Sequence, residues 1–120
     1  MERPLILVVD DDAPILVLMR NLLREFGFEP VTALSGPKAL EEARSRTPDV
    51  ILLDRNMPGM NGDDVLRELR SVDGALSSVP VLILSGEPIE PEELQRLGAT
   101  AAVLKPFDVM VLVETIRKYV

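Results

Sequence analysis

The chain contains no cysteine and no histidine in its 120 residues. The first absence excludes disulfide stapling and thiolate zinc sites. The second removes the commonest metal ligand and general base, so serine-histidine and cysteine-histidine catalysis cannot be built from this chain alone. Long hydrophobic runs are also missing. The longest, such as Leu5 to Val9 and Val109 to Val113, reach five residues, far below the roughly 20 that span a bilayer. A cytoplasmic protein is the expectation. Positive charge is scarce: thirteen Lys and Arg stand against twenty Asp and Glu, for a net charge of -7. Such a surface repels phosphate backbones and argues against direct binding to nucleic acid.

What is present is a globular balance. Hydrophobic residues make up 47% and charged residues 28% of the chain, which separates it from disordered sequences. The length suits one apolar core, so residues 1–120 read as a single domain with nothing left over for an output domain.

Five short apolar runs recur, at Leu5 to Val9, Phe28 to Ala33, Val50 to Leu53, Val81 to Leu84 and Ala101 to Leu104. They lack polar alternation, which suits parallel strands covered on both faces by helices. The segments between them carry helical spacing. From Ala13 to Phe26, apolar residues fall at Ile15, Leu18, Met19, Leu22, Leu23 and Phe26, with Asp12 as N-cap and Gly27 as stop. Pro37 to Arg46, Asp63 to Val72, Glu90 to Leu97 and Val109 to Tyr119 read as four more helices, the last capped by Asp108. Val72 to Pro80 reads as a longer loop.

In a doubly wound parallel sheet, ligands bind beyond the carboxyl ends of the strands. Those ends carry Asp10, Asp11 and Asp12 after the first strand, Asp54 after the third, Ser85 and Gly86 after the fourth, and Lys105 and Pro106 after the fifth. Carboxylates gathered within about 4 Å repel by roughly 4 kcal/mol per pair at an effective dielectric near 20, so a cation must offset them. With oxygen ligands alone, a hard divalent ion fits, and Mg²⁺ is the choice. A carboxylate beside it can act as nucleophile toward a phosphoryl group, with Lys105 and Ser85 holding the incoming oxygens. Asp12 stands apart, as a helix cap ahead of Pro14 rather than a ligand.

Four segments, LILVVDDD at Leu5 to Asp12, VILLDRNMPGMNG at Val50 to Gly62, VLILSG at Val81 to Gly86 and GATAAVLKPF at Gly98 to Phe107, occur in the order found in receiver domains of two-component response regulators. The chain resembles that family over essentially its whole length. The resemblance implies a flavodoxin-like α/β fold, a doubly wound (βα)5 three-layer sandwich with a five-stranded parallel sheet of order 2-1-3-4-5. It implies Asp54 as phosphoacceptor, Asp11 as a direct Mg²⁺ ligand, Asp10 as a second acid acting partly through water, and the Asn56 carbonyl as a further ligand. Ser85 corresponds to the switch hydroxyl and Lys105 to the phosphate-binding lysine, with the Lys105-Pro106 bond cis. Asn56 and Glu87 fall where the family tunes loss of the acyl phosphate, and together they imply a short-lived phosphorylated state. The implied donor is a histidine kinase or histidine phosphotransfer protein, with a downstream protein as target.

Two departures bear on signal output. Ala102 occupies the place of the family's usual aromatic residue, three positions before the lysine, and the interval from Ser85 to Gly98 is shorter than usual and contains Pro88 and Pro91. A short or displaced fourth helix is expected. Other readings are weaker. A calcium loop beginning at Asp54 fails because its twelfth position is Val65 rather than Glu. A Mg²⁺-dependent phosphohydrolase with Asp10 as nucleophile lacks chain for a cap and has Pro14 where that motif prefers Thr or Val. A phosphorylation-independent interaction module of the same fold would follow if the missing aromatic uncouples binding from Asp54. Val109 to Val113, apolar all round, points to partner docking or a homodimer through the last helix.

Overall fold

The computed structural model describes residues 2–71 and 74–120. Five strands, β1 (Leu5–Val9), β2 (Glu29–Ala33), β3 (Val50–Asp54), β4 (Val81–Ser85) and β5 (Ala101–Leu104), form one sheet in the order β2-β1-β3-β4-β5. Every pairing is parallel. Helices α1 (Ala13–Glu25), α2 (Gly36–Ser45), α3 (Gly62–Ser71), α4 (Pro91–Leu97) and α5 (Val109–Tyr119) alternate with the strands. This is the flavodoxin-like sandwich and strand order implied by the sequence.

Side chains alternate across the sheet with period two and feed two separate cores. Ile6, Val8, Val50, Leu52, Leu82 and Leu84 pack on one face with Leu16, Met19 and Leu23 of α1 and Leu112, Val113 and Ile116 of α5. Leu7, Val9, Ile51, Leu53, Val81 and Ile83 pack on the other with Ala39, Leu40 and Ala43 of α2 and Val65, Leu66 and Leu69 of α3. The three central strands are buried along their whole length. The edges differ from the expectation of full coverage. β2, which carries Glu29 and Thr32, is only partly buried, and Ala102 and Leu104 of β5 are exposed on the face opposite Ala101 and Val103, which pack on the α1/α5 core.

The helices begin and end where local chemistry dictates. Asp12 Oδ1 accepts from the Ile15 amide at 3.3 Å and Ser35 Oγ from the Lys38 amide at 3.3 Å. Asn61 and Asp64 exchange reciprocal side chain to backbone bonds of 3.0 and 3.1 Å at the start of α3. Asp108 Oδ1 accepts from Met110 and Val111. Each satisfies amides that a helix start leaves without partners. α1 ends at Glu25, two residues before Gly27, whose φ of +92° is left-handed backbone that turns the chain away from the helix. The segment read as a loop contains a 3-10 turn at Ala75–Ser78, and positions Val72 and Asp73 of that reading lie outside the described residues. α4 is short, as expected, and none of its residues is buried. No helix among the described residues is long and apolar enough to cross a membrane.

Candidate phosphoacceptor site

The chain runs from β1 outward to β2 and then crosses back to β3, so the winding reverses beside the carboxyl ends of β1 and β3. The polar residues gather there. Asp10 directly follows β1, with its amide on the Ala33 carbonyl at 3.1 Å. Asp54 is the last residue of β3 and lies in register with Leu84. Ser85 ends β4 opposite Leu104, and the Lys105 amide donates to its carbonyl at 2.7 Å. The Lys105-Pro106 peptide is cis. Asp10, Asp54 and Ser85 are the buried polar or charged residues of the described chain, at 4–5% exposure. Buried groups of this kind need partners to offset lost hydration.

One oxygen from each of Asp10, Asp11 and Asp54 falls within a 4.8 Å cluster. Lys105 Nζ reaches in from β5, 2.8 Å from Asp54 Oδ1 and 3.8 Å from Asp10 Oδ2. Three carboxylates against one ammonium leave an excess of negative charge. Burial is the main cause that pushes the Asp10 carboxyl above its ordinary value. The Asp12 amide, 3.0 Å from Asp10 Oδ1, pulls it down; Asp54 and then Asp11 push it up, while Lys105 opposes them. An all-oxygen cluster in which one buried acid resists ionisation fits a hard divalent cation, whose charge would remove that penalty.

The other residues singled out by sequence stand close by in the chain but outside this cluster. The Ser85 hydroxyl donates to the Glu87 carbonyl at 2.8 Å and accepts from the Glu87 amide at 3.1 Å. Asn56 and Glu87 are exposed on the loops that follow β3 and β4. Beside the acids, a groove of about 650 Å³ has apolar walls supplied by Ile15, Leu18 and Leu22 of α1 and by Phe107 and Val109.

Two features of the β3-α3 loop escaped the sequence reading. The Gly62 amide bonds the Arg55 carbonyl at 2.9 Å. A Cβ at Gly62 would lie 2.6 Å from the Asp54 carbonyl oxygen and 2.8 Å from Arg55 Cα, so only glycine allows this close return. Arg55 itself grips Asp63 through Nε at 3.1 Å and Nη2 at 3.2 Å, and Nη2 also bonds Glu93 of α4. Those bonds, Glu93 first, raise the guanidinium's pKa, and the bond from Arg55 holds the Glu93 carboxyl below its ordinary value. The partners lie 8 and 38 positions away in sequence, beyond any local periodicity.

Comparison with known proteins agrees with this geometry. The family model described as response regulator receiver domain matches residues 6–117. The transcriptional regulatory protein PrrA of Mycobacterium tuberculosis (strain ATCC 25618 / H37Rv) is 39% identical over 116 residues, covering 95% of this chain and 48% of that protein. Thus the chain spans about half the length of the first curated relatives it matches. Sporulation initiation phosphotransferase F of Bacillus subtilis (strain 168) is 32% identical over 116 residues, covering 95% of this chain and 91% of that protein. Among solved structures, the Vibrio cholerae chemotaxis protein CheY4 superposes with a TM-score of 0.89 at 32% identity, over 98% of this chain and 99% of that one. An aspartate cluster of this kind is typical of the phosphoaccepting site of response regulators, which are signalling phosphoacceptors rather than metabolic enzymes. The chain belongs to the response regulator receiver domain family of two-component systems.

Proposed function

We propose that residues 1–120 act as one phosphorylation-dependent switch in which Asp54 takes a phosphoryl group from a phosphohistidine on a partner kinase or phosphotransfer protein. The phosphohistidine must lie outside these 120 residues, which contain no histidine. An Asp54 carboxylate oxygen attacks phosphorus in line, the phosphorus–nitrogen bond breaks, and the imidazole nitrogen leaves with the electron pair. The observation that carries this reading is the Lys105 ammonium at 2.8 Å from Asp54, with Asp10 alongside. It fixes one carboxylate oxygen and stands ready for the charge that develops on the phosphoryl oxygens.

Asp10, Asp11, Asp54 and the Asn56 backbone carbonyl would hold Mg²⁺. When bound, that ion supplies charge neutralisation between the acids and the phosphoryl oxygens. Ser85 and Lys105 meet the added oxygens, Ser85 by exchanging its bond to the Glu87 carbonyl for one to the phosphoryl group. Asn56 and Glu87, exposed beside the site, set how fast water removes the acyl phosphate, and the phosphorylated state is short-lived. A half-life of many hours for the isolated phosphoprotein would contradict that.

These residues themselves, with a net charge of -7, contact a downstream protein rather than nucleic acid directly. Val109, Met110 and Val111 of α5 are exposed and offer a surface for self-association. Sedimentation with and without phosphodonor checks this, and a strictly monomeric mass in both would remove it. The central experiment is intact-mass measurement after incubation with acetyl phosphate and Mg²⁺. A phosphoryl adduct is expected in the unsubstituted chain and absent from Asp54→Ala; an adduct that persists in the variant overturns the assignment.

A further inference from the structure

We propose that Arg55 is a positioning residue that ties the state of Asp54 to the placement of α4, a role that rests on Asp54 being the phosphoacceptor. Arg55 directly follows Asp54, and its backbone is held on both sides, with the amide on the Leu84 carbonyl at 3.1 Å and the carbonyl accepting from Gly62 at 2.9 Å. Its guanidinium grips Asp63 in α3 with two bonds and extends one arm to Glu93 in α4. A planar fork held at one carboxylate transmits direction as well as charge to the second.

α4 is the element such a tie can move. It has seven residues, none buried, and no side-chain cap at its start. Among the described residues, Arg55–Glu93 is the ion pair that joins α4 to the rest of the molecule, the Arg96–Glu93 contact lying within the helix. Arg96 Nη2 is 3.8 Å from the same Glu93 oxygen that Arg55 holds. Glu93 therefore has two possible cationic partners, one anchored beside Asp54 and one that travels with α4, which is a two-state element. A second tie from the site to the segment before α4 is the Ser85–Glu87 pair of bonds. The side chain at Ala102 ends at Cβ and is exposed, so it cannot act as a lever between the site and this face.

The Arg55–Glu93 pair belongs to the unphosphorylated arrangement and biases the chain toward it. Coupling between two sites is reciprocal. A protein that captures Glu93 or holds α4 away from Arg55 therefore favours the phosphorylated arrangement, and phosphorylation in turn releases α4.

The test compares backbone amide NMR spectra before and after adding beryllofluoride with Mg²⁺, an acyl-phosphate mimic. In the unsubstituted chain, amides of Asp11 and Lys105 move, and so do those of Leu94 to Gly98. In Glu93→Gln, whose substitution sits on a helix with no buried residue, the Asp11 and Lys105 displacements persist and those of Leu94 to Gly98 collapse. Its apparent affinity for the mimic tightens by about fivefold, the lower end of ordinary coupling. Arg55→Lys, which keeps charge without the fork, gives an intermediate result. Displacements in Leu94 to Gly98 as large in Glu93→Gln as in the unsubstituted chain, or an unchanged affinity, overturn the proposal. Silence at Asp11 and Lys105 in the unsubstituted chain instead overturns the phosphoacceptor reading, and this role with it.

Discussion

Lys105 Nζ lies 2.8 Å from Asp54 Oδ1 and 3.8 Å from Asp10 Oδ2, so a single ammonium is shared unequally by two buried carboxylates. If it binds the charge that develops on the phosphoryl oxygens, as proposed above, its loss has a kinetic signature. Lys105→Ala should slow labelling by acetyl phosphate about 100-fold, as loss of one preorganised donor to developing oxyanion charge does elsewhere. Time-resolved intact mass measures this, and an unchanged rate would remove Lys105 from the transfer.

The raised pKa of Asp10, caused first by burial, makes a statement about stability. The folded chain holds this proton more tightly than the unfolded chain. The favourable contribution is therefore complete below the ordinary aspartate pKa of about 3.9 and is lost as pH rises through the raised folded value. Without divalent cation at neutral pH, Asp10→Asn keeps an oxygen for the Asp12 amide and removes the buried charge. Its Tm should rise by about 4 °C, roughly 1 kcal/mol, and stability across that pH window should flatten. A lower Tm would show that Lys105 already compensates Asp10 fully.

Saturating Mg²⁺ should do for the unsubstituted chain what Asp10→Asn does without it. A ligand at ten times its Kd stabilises the state that binds it by about 1.4 kcal/mol. Thermal melts of the unsubstituted chain should shift upward with Mg²⁺, and those of Asp11→Asn much less. Equal shifts would place the ion elsewhere.

Gly62→Ala brings a methyl group to 2.6 Å from the Asp54 carbonyl oxygen, and backbone cannot swing aside as a flexible side chain can. The expected cost is about 1–3 kcal/mol, as for other overpacked sites. The β3-α3 loop that carries Asn56 must shift too, so labelling should fall beyond what the lost stability explains. Denaturant unfolding and labelling of the still-folded fraction separate the two effects.

Asp108 accepts from two amides at the start of α5, at 2.8 and 3.2 Å. Asp108→Ala should cost about 1 kcal/mol while leaving the labelling rate of folded protein unchanged. A fall in labelling rate would tie the α5 cap to the site through Phe107 and Pro106.

Most strands and helices were legible because each obeys a local rule: an apolar run, a three-to-four spacing, a cap such as Asp12 or Asp108; β2 carries Glu29 and Thr32 within its run. The ends of those elements differ by a residue or two, as when β3 extends to Asp54 and α1 stops at Glu25. The gathering of Asp10, Asp11, Asp54 and Lys105 followed from knowing that strand ends in such a sheet converge. What could not be read depends on contacts across the fold. Nothing near Arg55 in sequence announces Glu93, 38 residues on. Nothing near Gly62 announces that the chain returns within touching distance of Asp54. The exposure of Ala102 and Leu104, while Val103 on the other face of β5 is buried, likewise reflects which face of the strand the helices cover rather than composition.

The central strands are apolar on both sides, so sliding one of them by a single position would exchange one oily side chain for another at little apparent loss. Asp10, Asp54 and Ser85 forbid it. Each sits at the last place where a polar group can still reach the rim, and one step inward would strand a carboxylate or hydroxyl between hydrocarbon layers. The groups assigned to phosphoryl chemistry thus also act as stops that set how far each strand may advance. A chain that pairs its strands out of step would lose solubility of those groups and its chemistry together.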